Sequence, residues 1–153
     1  MWRRIQAWWA YQRGMMLRFW GHRTVRRAYY RSAVEAFGRA IAFAPDHADA
    51  YLARGLIFWR ELNSPEEAVA DFTAVLDLRA ENAEAYFYRG MAYQARGDYA
   101  AAADDLRAAL RQGSGALWEQ SAYRQLITIE AILETLPARF GGKDEALLPP
   151  GAA

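Results

Sequence analysis

The stretch AYFYRGMAYQARGDYAAAADDLRAAL, residues 85–110, decides how this chain folds. It divides at Gly97-Asp98 into two segments of about a dozen residues, each with apolar positions at helical spacing. Tyr86, Gly90 and Tyr93 share one face of the first segment, and Ala102, Leu106, Ala109 and Leu110 share one face of the second. The pattern predicts two short amphipathic helices joined by a tight turn. Gly90 and Ala102 have a packing reason, because small residues on facing sides let helix axes approach to the short end of the usual ~8–10 Å separation.

The same pattern recurs upstream. Gly21, Gly55 and Gly90 are separated by 34 and 35 residues, while Ala33, Ala68 and Ala102, and likewise Phe37, Phe72 and Leu106, are separated by 35 and 34. Ala40, Val75 and Ala109 keep that spacing, as do Ile41, Leu76 and Leu110. A period in this range marks a repeat architecture in which stacked hairpins bury a continuous core. The distance from the glycine to the first small residue is 12, 13 and 12, so the middle unit carries one extra residue, expected in its turn, where insertions are tolerated. Ser64-Pro65-Glu66-Glu67 reads as a capping box with proline at the first helical position, and Pro45-Asp46 separates the first unit from the second.

On these residues the chain resembles the tetratricopeptide repeat family. The third unit follows the motif nearly position for position through Ala85, Tyr86, Gly90, Tyr93, Gly97, Asp98, Tyr99, Ala102, Leu106 and Ala109, and the second does so through Ala50, Tyr51, Gly55, Phe58, Ala68, Phe72 and Val75. The first is degenerate: Leu17, Trp20, Gly21, Tyr30, Ala33, Phe37, Ala40 and Pro45 fit, whereas Thr24 and Ala28 depart from the motif. The resemblance implies an all-α, right-handed solenoid of three hairpins over 14–47, 48–82 and 83–115. Around it we expect a separate amphipathic helix at 1–13, a capping helix at 116–136 that ends before Pro137, and a flexible tail over 137–153.

Composition narrows the function. The 153 residues are 54% hydrophobic and 24% charged, a globular composition with room for one core. Cysteine is absent, which removes disulfides, thiolate metal sites and cysteine nucleophiles. The two histidines, His22 and His47, lack metal-ligand spacing, and no phosphate loop or nucleophile elbow is present. No metal, cofactor or small-molecule substrate is expected. Asp104 and Asp105, like the other carboxylates, read as solvated helix surface. No stretch is long and apolar enough to span a bilayer, and Arg3, Arg4, Arg13 and Arg18 interrupt any signal-peptide core, so the expected location is cytoplasmic, including the cytoplasmic face of a membrane complex.

Two surfaces are candidates for binding. In the family the first helices of successive units line a concave groove, which the resemblance maps onto Leu52, Leu56 and Trp59 and onto Phe87, Tyr88 and Met91; spacing leaves open whether this stripe is groove or core. A groove of that kind suits a helical or extended apolar segment of a protein partner. The carboxylate clamp that some members use for chaperone tails maps onto Arg18, His22, Ala53, Glu84 and Tyr88, and the resemblance makes only Arg18 a match, with Glu84 repelling a carboxylate.

The second surface is the N-terminal segment. Residues 1–34 hold eight arginines and no acid, a charge of +8, against −7 for the remainder. Trp2, Ile5, Trp8, Trp9, Met16, Phe19 and Trp20 share one side of a helical wheel, with Arg3, Arg4 and Arg18 opposite, and Arg13 belongs to the same candidate docking surface. Three roles fit: a cap over the first repeat, a docking helix for a protein partner, or an anchor at an anionic membrane surface. A nucleic-acid footprint is disfavoured by the acidic body and the near absence of lysine. Taken together, the expectation is a non-catalytic protein-binding scaffold, adaptor or accessory subunit, with peripheral membrane attachment as the alternative.

Overall fold

The computed structural model describes residues 1–113 and 117–140, with side chains to 135. Seven α-helices make up the described residues: α1 (Trp2–Thr24), α2 (Arg27–Phe43), α3 (Ala48–Ile57), α4 (Pro65–Leu78), α5 (Ala83–Arg96), α6 (Tyr99–Gln112) and α7 (Glu119–Phe140). Each packs on the next in chain order, and almost nothing bridges further, which makes an all-α solenoid. Most of the tail expected over 137–153 lies outside the described residues. Its first part is still helix, since α7 runs through Pro137 to Phe140: proline costs the helix one backbone hydrogen bond without ending it here.

The second and third hairpins turn alike. Gly97, at φ 87°, and Asn63, at φ 54°, each take the left-handed conformation that stops the first helix, and Asp98 and Ser64 then open the second. Because the two turns are equally long, the extra residue of the middle unit is not in the turn. It sits one step earlier, where α3 continues into a π-helical turn over Phe58–Leu62. A π turn absorbs one inserted residue while the flanking helix keeps its direction. The widening also shifts the expected core position: Ile57 is fully buried, and Phe58 and Trp59 both lie partly buried against the neighbouring core. Ser64 occupies the N-cap without a side-chain cap bond, so its side chain does not complete a capping box; α5 does have a side-chain cap, Asn82, whose Oδ1 accepts from the Ala85 amide at 2.9 Å.

The first hairpin departs most from expectation. Helix α1 is continuous from Trp2 to Thr24, so the boundary drawn at 13 falls in mid-helix. Its buried residues are Ala7, Gly14 and Gly21, spaced by seven, which face α2. A Cβ on Gly14 would stand 2.6 Å from the Phe37 ring, just as one on Gly55 would stand 2.9 Å from Phe72. Gly14, and not Gly21, therefore corresponds to Gly55 and Gly90. Gly21 sits further along, where its Cβ would meet Tyr30 at 2.7 Å. The hairpin is about one turn longer on each arm than its neighbours, and the 34-residue spacing of Gly21 from Gly55 is a coincidence of that lengthening. With Gly14 in register, one dipeptide recurs in all three hairpins: Arg13-Gly14, Arg54-Gly55 and Arg89-Gly90.

Those arginines matter to packing. Arg54 donates to both oxygens of Asp71 at 2.8 and 2.6 Å, and Arg89 donates to both of Asp105 at 2.7 and 2.8 Å. Asp71 and Asp105 are 4% and 6% exposed, so these two carboxylates are buried and paired, and the reading of every acid as solvated surface fails for them. Desolvation pushes the Asp71 carboxyl up, opposed by its bonds to Arg54, and those same bonds push the Arg54 guanidinium up. Planar two-point pairing of this kind fixes the angle between the two helices of a hairpin.

The glycine contacts give a sign test. Gly14→Ala forces the ring of fully buried Phe37 to move and is expected to destabilise by about 1–3 kcal/mol. Gly38→Ala, also within a helix, places its Cβ no closer than 3.5 Å to a flexible Arg54 nitrogen, and is expected to stabilise by up to ~1 kcal/mol. Urea unfolding of the two variants checks both signs.

Candidate functional site: groove and outer helix face

The first helices of the second and third hairpins bring Leu52, Leu56, Trp59 and Met91 together on one side, all partly buried. Phe87 and Tyr88 are 6% and 9% exposed, so they belong mainly to the core. Phe87 stacks on Trp118 at 5.1 Å, and Tyr88 lies between Trp59 and Phe72 at 5.5 and 6.0 Å. Phe87 and Tyr88 therefore lie in the core, whereas Trp59 and Met91 reach one cleft, Leu56 another, and Leu52 packs partly buried against the core.

A shallow cleft of about 390 Å³ is lined by Trp59, Met91, Gln94, Gln125 and Ile132. Gln94 Nε2 donates to Gln125 Oε1 at 3.0 Å, while Gln94 Oε1 is buried with no hydrogen-bond partner among the described residues. Sequence reasoning missed Gln94 and Gln125, because a glutamine on a helix carries no pattern. It missed Arg60 too, whose guanidinium lies over the rings of Trp59 and Tyr88 at 5.2 and 5.4 Å and puts a cation at the groove edge. Arg60 lines a second, smaller cleft with Arg18, His22, Leu56 and Glu61. Of the positions mapped to a carboxylate clamp, Ala53 and Tyr88 are buried, and His22 is engaged with the Tyr30 hydroxyl at 3.2 Å.

The outer face of α1 is the other site. Trp2, Ile5, Trp8, Trp9, Met16, Phe19 and Trp20 are all exposed, from 43% for Ile5 to 79% for Trp2. The small residues Ala7, Gly14 and Gly21 take the inner face, where they let α1 lie close on α2; Tyr11 packs partly buried against Phe37, while the tryptophans and Phe19 turn outward. Arg3 reaches the Ala42 carbonyl at 3.2 Å, and Arg4, Arg13 and Arg18 flank the same helix. No described helix is long and apolar enough to cross a membrane.

A model of the tetratricopeptide repeat matches residues 20–71 and 60–116, well over half the chain. The chain belongs to the tetratricopeptide repeat family. Several solved tetratricopeptide domains share its fold. The first such domain of Spaghetti, bound to an HSP90 peptide, is 20% identical, with 81% of this chain and 95% of that one covered and a TM-score of 0.66. The domain of Arabidopsis OM64 is 23% identical, covering 81% and 96%, with a TM-score of 0.69. That of Sgt2 from Aspergillus fumigatus is 20% identical, covering 92% and 90%, at 0.64. No curated protein matches the chain significantly. Membership of this family makes a protein-interaction scaffold the general role, with the partner set by the particular surface.

Proposed function

We propose that this tetratricopeptide protein is a non-catalytic adaptor or accessory subunit that docks a protein partner through the outer face of α1 and through the groove at Leu52, Leu56, Trp59 and Met91. The observation that carries the reading is the exposure of seven large apolar side chains on one face of α1. Contiguous apolar patches of this kind on soluble domains mark interaction surfaces, and tryptophan and arginine are the residues that dominate interface energies. The neighbour solved with an HSP90 peptide supports a peptide partner in general, although Glu84 and buried Tyr88 and Ala53 leave only Arg18 of the mapped clamp positions as a free cation for a chaperone tail.

Removing residues 1–13 is a poor test, because Ala7 and the packing around Gly14 belong to the first hairpin. The triple variant Trp2→Ala/Trp9→Ala/Trp20→Ala is better: all three are exposed, so unfolding should move by little more than ~0.5 kcal/mol per site. Quantitative affinity purification from cells of the source organism is expected to lose the specific partners of the full-length chain. Unchanged partners would refute the outer face as the docking site.

A second reading has its own observation. Exposed tryptophans beside arginines, with no acid before Glu35, suit an anionic lipid interface, where indole sits at the boundary. Co-sedimentation with phosphatidylserine vesicles at low salt decides it: wild type pelleting while the triple variant stays soluble would favour the membrane, and both staying soluble would dismiss it.

A further inference from the structure

The register set by Gly14 exposes an incomplete arginine site in the first hairpin. In the second hairpin Arg54 pairs with Asp71, and in the third Arg89 pairs with Asp105. The first hairpin keeps the arginine as Arg13 but has Ala36 where the aspartate should be, immediately before Phe37 as Asp71 stands before Phe72. Arg13 has no hydrogen-bond or ion-pair partner among the described residues. Between α1 and α2, at that place, a cleft of about 350 Å³ is lined by Trp9, Arg13, Ala36, Arg39 and Phe43, with Glu35 beside them.

The other two arginines show what covers such a site. A Cβ on Gly38 of α2 would lie 3.5 Å from Arg54, and Thr73 of α4 accepts from Arg89 at 3.2 Å. In each case the preceding hairpin's second helix lies over the arginine. Among the described residues no helix lies over Arg13, and Arg13 and the adjoining Trp9 are exposed at the cleft.

We propose that this cleft receives an acidic amphipathic helix of a partner protein, seated where a preceding hairpin's second helix would lie, with an Asp or Glu on Arg13 in place of the aspartate that Ala36 omits. Charge complementarity selects the acid: the head is +8 over residues 1–34, and the cleft holds two arginines against one glutamate. Trp9 and Phe43 provide apolar anchors on either side. The inference rests on the adaptor reading and adds a second contact with its own chemistry.

The probe is a synthetic peptide of residues 65–82, which contains α4, the helix that covers Arg89, and carries Thr73→Glu; its control carries Thr73→Gln. Fluorescence anisotropy on the full chain is expected to show binding of the acidic peptide, weakened at least tenfold in the control peptide. Two opposite protein variants should lose the acidic peptide equally: Arg13→Ala, which removes the cation, and Ala36→Asp, which restores the internal partner. Circular dichroism melts of both variants verify that each is folded. Absence of binding, or equal binding of acid and control peptides, overturns the proposal. So does binding that Ala36→Asp leaves intact. Self-association in sedimentation velocity that both variants abolish would assign the cleft to a second copy, and vesicle binding that both abolish would assign it to lipid; either result displaces the partner helix. Trp59→Ala, outside the cleft, should leave peptide affinity unchanged, so failure here is distinguishable from failure of the groove or of the outer aromatic face.

Discussion

Asp105→Ala is expected to lower the free energy of unfolding by about 3–5 kcal/mol, among the largest effects of any single substitution in this chain. The reason is the group left behind. Arg89 is held between the rings of Tyr86 and Tyr93 at 5.6 and 5.8 Å, with both carboxylate oxygens of Asp105 on its Nε and Nη2 and Thr73 on its third nitrogen, Nη1. Its side chain is 18% exposed, so water replaces the lost acid poorly. Replacing both partners, as Arg89→Leu/Asp105→Leu, should recover most of the loss, because a buried pair is costly chiefly when half of it remains. Urea unfolding of the single and double variants measures this. A single-variant cost below ~1 kcal/mol would show that the pair is solvated and that hairpin geometry is set elsewhere.

Phe37→Ala should cost a similar ~3–5 kcal/mol, by opening a cavity at the seam between α1 and α2. The ring is fully buried, lies against the bare face of Gly14 and meets Tyr11 at 5.6 Å. Alanine there would leave α1 without its central contact, and hydrogen exchange along α1 should rise more than along α5. A double-mutant cycle sharpens the test. The cost of Gly14→Ala should vanish when Phe37 is already alanine, since the clash is with that ring. Additivity of the two would mean that the pair does not touch, and would return Gly21 to the register.

These predictions separate what the residues alone announce from what assembly decides. The third hairpin is legible because Gly90, Ala102 and Leu106 sit where short-range periodicity places them, and Gly97 has the conformational freedom its left-handed turn demands. The aromatic stripe of α1 is equally legible, as helical spacing fixes which side chains share a face. That it points to solvent is not, because a wheel has no inside until something packs on it. Hydrophobicity would have turned the tryptophans inward. The tertiary structure turns Ala7, Gly14 and Gly21 inward instead, since close approach to α2 selects small residues over apolar ones.

The same holds for the charges. A carboxylate on a helix reads as surface, and only the pairing of α3 with α4 and of α5 with α6 makes Asp71 and Asp105 buried partners of arginines 17 and 16 residues away. Even the glycine period misled, because a π turn and a lengthened hairpin alter spacing in three dimensions while the residue count stays near 34. The sequence by itself determined the repeat, the helices and the basic aromatic head. Which glycine meets which ring, which acids are buried and which face of α1 is left open were decided by packing, where contact between helices depends on side-chain volume at the seam and no local pattern records it.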